Sequence, residues 1–113
     1  MKKIEAIIRP EKLDAVRACL TEAGYPGITI SEAQGHGLQK GIYNKWRGSE
    51  YHVELLQKIK IEIVALDEEV DAITQAILES AFTGGMGDGK IFITEVCEAV
   101  RIRTRERGDQ AIL

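Results

Sequence analysis

The segment richest in chemistry is Thr83-Gly84-Gly85-Met86-Gly87-Asp88-Gly89-Lys90. Gly84, Gly89 and Lys90 satisfy the GxxxxGK part of a phosphate-binding loop, where glycines let backbone N–H groups approach oxygen atoms and the lysine supplies a point charge. The pattern then breaks. Ile91 stands where a Ser or Thr would hold Mg²⁺, and the residues that follow read as a strand, not as the opening of a helix. The segment therefore does not read as a P-loop NTPase, although a glycine nest with a lysine still suits phosphate. Arg101 and Arg103 add to it. At i and i+2 on an extended tail they face one side, a pair of guanidinium forks suited to an anion, and with Lys90 they make a candidate site about one strand away.

The elements that must position these groups follow from periodicity. Ile4 to Ile8 reads as a strand bounded by Pro10, which opens a helix from Glu11 with Leu13, Val16, Leu20 and Ala23 on one face and Gly24 as its stop. Ile28 and Ile30 alternate with Thr29 and Ser31, a second strand to about Gln34. The pattern then repeats. Ile59, Ile61 and Ile63 alternate with charged residues over Lys58 to Leu66, Asp67 caps a helix with Val70, Ile73 and Ile77 on one face to about Ala81, and Ile91 to Val96 is a strand. Two β-α-β units predict an α+β, ferredoxin-like βαββαβ sandwich: a four-stranded antiparallel sheet with both helices on one face. Apolar residues on both faces of the strands point to homo-oligomerisation through the uncovered one. Gly35 to Leu55 lacks convincing periodicity and carries Tyr43, Trp46, Arg47, Tyr51 and His52, the content of a contact loop.

Composition narrows the classes. The chain has 113 residues, one domain by length, and 44% apolar with 29% charged residues is the balance of a globular protein. A net charge of -3 argues against nucleic acid as a partner. Lys2 and Lys3 precede an apolar run that Glu5 interrupts, which does not read as a signal peptide, and nothing approaches the roughly 20 apolar residues of a membrane span. Cys19 and Cys97 lack CxxC spacing and are expected as buried free thiols of a cytoplasmic protein.

Several ordered motifs resemble the PII nitrogen-signalling family over nearly the whole chain. They are Lys3-Ile4-Glu5-Ala6-Ile7-Ile8-Arg9-Pro10, Gln39-Lys40-Gly41 with Arg47-Gly48-Ser49-Glu50-Tyr51, and Lys58-Ile59-Lys60-Ile61-Glu62-Ile63-Val64. Thr83-Gly84, Gly87-Asp88-Gly89-Lys90-Ile91-Phe92-Ile93 and Arg101-Ile102-Arg103-Thr104 complete the likeness. In that family's terms the chain would be one PII-type domain over 1–113, with a T-loop at about 36–55, a B-loop at about 82–90 and a C-terminal tail at about 101–113.

The resemblance implies a compact homotrimer with nucleotide sites in the clefts between subunits, where ATP and ADP compete. Gly87, Asp88, Gly89 and Lys90 would embrace the phosphates, with Arg101 and Arg103 helping, Gly37 close by, and Thr29, Glu62 and Val64 lining base and sugar. Gln39 would complete the coordination of a Mg²⁺ held by ATP. 2-Oxoglutarate would chelate that ion, with Lys58 on its far carboxylate and Gly37, Lys40, Gly41 and Gly87 in support. The T-loop would then dock on an ammonium transporter, which is the only link to a membrane, or on nitrogen-assimilation enzymes: glutamine synthetase, its modifying enzyme, or acetylglutamate kinase. Tyr51 occupies a position uridylylated in some members and Ser49 one phosphorylated in others.

Leu38 replaces a common basic residue, Ile42 to Trp46 differ from the usual loop, and Gly85 and Met86 depart from the commoner residues before Gly87. Two rivals follow: a PII-like regulator with another small effector, and a weak nucleotide-hydrolysing enzyme. Against the second, no Walker B-like acidic strand end is present and His36 and His52 have no evident triad partners. The sequence thus reads as a regulator and not an enzyme.

Overall fold

A computed structural model of the chain describes the backbone of residues 1–40 and 51–113, and the side chains of these apart from 36–40 and 51–54. The strands are β1 (Lys2–Ile8), β2 (Thr29–Lys40), β3 (Tyr51–Ala65) and β4 (Lys90–Glu95), and the helices are α1 (Leu13–Glu22) and α2 (Val70–Ala81). The sheet runs β2-β3-β1-β4, with every neighbouring pair antiparallel. This is the ferredoxin-like α+β arrangement expected from the two β-α-β units.

One face of the sheet is apolar because period-2 alternation puts Ile4, Ala6 and Ile8 of β1 beside Ile59, Ile61 and Ile63 of β3. Val16 and Leu20 of α1, and Val70, Ile73 and Ile77 of α2, are buried with them in one core. Each fully buried Ile or Leu contributes roughly 1.5–3 kcal/mol relative to exposure. Gly24 ends α1 at φ +96°, and the Tyr25 N–H returns to the Leu20 carbonyl at 2.8 Å, as a left-handed helix stop requires.

The other face is less apolar than the strand patterns suggest. Glu5 lies between Phe92 of β4 and Glu62 of β3 in register, and Ile7 lies between Lys90 and Lys60. Cross-strand charges pair there, Lys60 to Glu5 at 3.5 Å and Lys3 to Glu62 at 3.9 Å. Ile7, Val64 and Phe92 are the apolar members of these rows.

Three local expectations change. Asp67 does not cap α2: a 3₁₀ turn, Asp67–Glu69, precedes the helix, and the Leu66 N–H donates to Glu69 Oε1 at 3.2 Å. Asp67 instead receives the Met1 ammonium at 3.0 Å, a stronger partner than an amide. Cys19 is half-buried as a free thiol, but Cys97, just past the edge strand β4, is exposed. The third concerns the stretch Gly35 to Leu55. β2 and β3 pair as far as Gln39 with His52 and Lys40 with Tyr51, so the ends of the expected T-loop are strand. Backbone pairing needs no apolar alternation, and periodicity detects only burial against a layer.

Candidate functional site: an anion loop between α2 and β4

The glycine-rich segment leaves α2 after Ala81, turns through Thr83 to Gly89, and enters β4 at Lys90. Asp88 organises it. Its Oδ2 accepts the N–H groups of Thr83 and Gly84, each at 2.9 Å, and its Oδ1 accepts Arg9 Nε at 2.9 Å and the Thr83 hydroxyl. The Thr83 hydroxyl and amide, then the Arg9 guanidinium, hold the Asp88 carboxyl well below the usual carboxylate range. Asp88 is therefore an anionic anchor, and any anion bound here meets its backbone and not its carboxylate.

Two cations reach the loop's carbonyls. Arg9 Nη2 donates to the Met86 carbonyl at 2.6 Å, and Lys58 Nζ to the Gly87 carbonyl at 2.6 Å. Gly89 is dictated by space as well as by its φ of +98°: a Cβ there would stand 1.7 Å from the Ile7 carbonyl oxygen. The N–H groups of Thr83, Gly84 and Gly85 are consumed within the loop. Those of Met86, Gly87, Asp88 and Gly89 find no acceptor among the described residues. A run of amides without acceptors beside Lys90 and Lys58 is the donor pattern that oxyanions complement.

One chain divides the expected site residues into two groups. Arg9, Lys58, Gly87, Asp88, Gly89 and Lys90 gather where β1 ends and β4 begins. Thr29 pairs with Glu62 and, with Val64, lies on the uncovered face of β2 and β3; β3 stands two strand spacings from β4, roughly 9–10 Å, and β2 three, roughly 14 Å. Arg101 and Arg103 lie beyond the opposite end of β4, on the side where Lys2 faces Glu95. The tail is also not extended. Val100 bridges to Arg107, and the Arg101 N–H donates to the Glu106 carbonyl at 2.9 Å, so the two arginines do not form the i, i+2 pair. Arg105, at φ +64°, lets the chain reverse.

Arg101 donates to Glu106 Oε1 at 3.0 Å, to the Gln110 carbonyl at 3.2 Å and to the Leu113 carbonyl, whereas Arg103 is exposed and makes no side-chain bond among the described residues. Gly37, Gln39 and Lys40 lie on β2 opposite Glu54, His52 and Tyr51 of β3. Gly41 and Ser49 lie outside the described residues, as do the side chains of Gln39, Lys40 and Tyr51. Among the described residues no group of His, Cys, Asp or Glu is arranged to hold a metal ion by itself.

Sequence reasoning missed Arg9. The signal was topological: β1 and β4 are antiparallel neighbours, so whatever ends β1 lies beside the loop that enters β4. Pro10 then holds Arg9 extended, at φ -66° and ψ 139°.

Fold and site together define a ferredoxin-like domain that presents a glycine-rich loop at a sheet edge, with amide donors that have no acceptors among the described residues. A family model described as "Nitrogen regulatory protein P-II" matches residues 1–106. The chain is 54% identical over 112 residues to the nitrogen regulatory protein P-II of Microchaete diplosiphon, covering 99% of this chain and 100% of that one. The P-II protein of Synechocystis sp. matches with the same figures. The nitrogen regulatory protein P-II 2 of Methanothermobacter thermautotrophicus is 54% identical over 112 residues, covering 99% of this chain and 97% of its own. The chain belongs to the PII family of nitrogen regulatory proteins, and it is a regulator, not an enzyme. No helix among the described residues is long and apolar enough to cross a membrane.

Proposed function

We propose that the chain acts as a homotrimeric PII signal protein, one domain over 1–113, that senses ATP, ADP and 2-oxoglutarate in the cytoplasm. The observation that carries this reading is the run of amides from Met86 to Gly89 left without acceptors beside Lys90. Phosphate oxygens supply what those amides lack.

The division of the site residues supports a cleft between subunits. In this reading Gly87, Asp88, Gly89 and Lys90 of one subunit hold the phosphates through backbone and ammonium. Thr29, Glu62, Val64, Arg101 and Arg103 of the neighbour supply the base, sugar and outer phosphate contacts. Such a contact would also cover β4, an edge strand whose Phe92 and Ile93 are 49% and 45% exposed. Mg²⁺, when bound with ATP, neutralises phosphate charge and presents a Lewis-acidic site to the keto and carboxylate oxygens of 2-oxoglutarate. With Asp88 committed to its own loop, Gln39 is the protein ligand proposed for that ion, and Gly37, Lys40, Gly41, Lys58 and Gly87 are the proposed contacts of 2-oxoglutarate.

The output in this reading is the T-loop. Capture of Gln39 by the ATP complex and not by ADP would repopulate its conformations and change docking on an ammonium transporter or on nitrogen-assimilation enzymes. Uridylylation of Tyr51 or phosphorylation of Ser49 would add negative charge to the docking segment. Titration calorimetry with ATP, Mg²⁺ and 2-oxoglutarate, singly and combined, tests the mechanism. The expected result is 2-oxoglutarate binding only in the presence of MgATP, and binding without nucleotide would overturn it.

A further inference from the structure

We infer that Arg9 is a positioning residue of the anion loop: by holding the Met86 carbonyl and the Asp88 carboxylate, it turns the N–H group of Gly87 outward for phosphate, beside the Asp88 N–H that Lys58 orients through the Gly87 carbonyl. The inference rests on the nucleotide reading above and assigns a role to a residue outside the expected site.

Its basis is peptide geometry. Every peptide bond among the described residues is trans, so the N–H of each lies opposite its C=O. The Met86 carbonyl is held by Arg9 Nη2 and the Gly87 carbonyl by Lys58 Nζ, both at 2.6 Å. The amides sharing those two peptide planes belong to Gly87 and Asp88, and they must point away from the two cations. Neither has an acceptor among the described residues. Capping the carbonyls from beneath thus decides which side of the loop offers donors.

Arg9 is suited to this in a way lysine is not. Its Nε reaches Asp88 and its Nη2 reaches Met86 within one rigid plane. The guanidinium lies close under the loop: Cβ atoms built on Gly85 and Gly87 would come within 3.1 and 3.5 Å of Nη2. Its charge also offsets that of Asp88, which would otherwise repel phosphate. Pro10 limits the Arg9 backbone to the extended conformation from which the side chain reaches both partners.

The test uses the full chain with Arg9→Gln, Arg9→Lys, Asp88→Asn and the Arg9→Gln/Asp88→Asn double variant. Affinities for ADP, pyrophosphate and adenosine are measured by calorimetry, with thermal melts to verify folding. Expected are a loss of about tenfold or more for ADP and pyrophosphate with Arg9→Gln, unchanged adenosine affinity, and little rescue by Arg9→Lys. The double variant should lose no more than the worse single one, because both act through the same loop geometry. In the nucleotide-free protein, the Gly87 and Gly89 amide resonances should shift in Arg9→Gln. Unchanged ADP affinity in Arg9→Gln, full rescue by Arg9→Lys, or strictly additive losses would each overturn the role. A wild-type chain that binds neither ADP nor pyrophosphate would overturn the nucleotide reading and the role together. Wild-type binding with an indifferent Arg9→Gln overturns only Arg9.

Discussion

Lys58 of β3 donates from Nζ to the carbonyl of Gly87 at 2.6 Å, which ties the interior of the sheet to the anion loop across the end of β1. The same ammonium is the proposed partner of the far carboxylate of 2-oxoglutarate. A ligand that takes Lys58 therefore has to share it with the loop. Lys58→Ala should abolish 2-oxoglutarate binding and, with no 2-oxoglutarate present, weaken ATP and ADP about fivefold, near 1 kcal/mol for one partly exposed hydrogen bond. Calorimetry with nucleotide alone separates the two effects.

Gly89→Ala should be the most damaging single change in the loop. The added methyl would meet the Ile7 carbonyl oxygen at 1.7 Å, and the residue sits at φ +98°. Backbone strain and overpacking together predict a loss of at least about 2–3 kcal/mol. Chemical denaturation would register the loss, and phosphate affinity should fall with it because Lys90 begins at the displaced backbone.

The carboxyl of Asp88 titrates below its ordinary range, chiefly because of Thr83 and then Arg9. With a depressed folded-state pKa, its stabilising effect is fully present above the unfolded value of about 3.9 and disappears as pH falls through the lower folded value. The loop should therefore keep its geometry at pH 5 and through mild acid. Carboxyl-carbon NMR should show Asp88 titrating below the other aspartates, and Arg9→Gln or Thr83→Val should move it upward.

In the tail, Arg101 is engaged by Glu106, to which Thr104 also donates at 2.7 Å. If nucleotide phosphate recruits Arg101, it must displace that carboxylate. Glu106→Gln should tighten ATP and ADP about threefold to fivefold, the scale of one exposed ion pair, while Arg103→Ala should weaken both. A tighter Kd in the first variant and a weaker one in the second is the expected pair of results.

The core gives an independent check on the fold. Ile73 of α2 is fully buried among the sheet isoleucines, and Ile73→Ala should destabilise the chain by about 3 kcal/mol. Thermal or urea unfolding measures this, and nucleotide affinity at a temperature where the variant stays folded should be unchanged.

Much of this molecule was readable in advance because its strands alternate cleanly. Ile59, Ile61 and Ile63 announce a one-sided sheet, and Val16, Leu20, Ile73 and Ile77 announce the helix faces that cover it. The turn of Thr83 to Lys90 was likewise local, since its positive-φ positions fall on Gly84, Gly87 and Gly89. What failed were readings that treated distant partners as local ones. Asp67 looks like a helix cap until the Met1 ammonium is placed beside it. Arg101 and Arg103 look like a fork until Glu106 folds the tail back.

By itself, then, the sequence determined the order of elements, the buried face of the sheet and the presence of a tight glycine turn between α2 and β4, because each is written in residues close along the chain. Only the tertiary structure decided how that loop faces. Its carbonyls are held by Arg9, 77 residues from Met86, and by Lys58, 29 residues from Gly87. It also separated Glu62 and Val64 from Lys90 by the width of β1, and Thr29 by that of β3 as well. Both outcomes follow from strand order, which places residues side by side according to hydrogen-bonded neighbours and not according to distance along the chain.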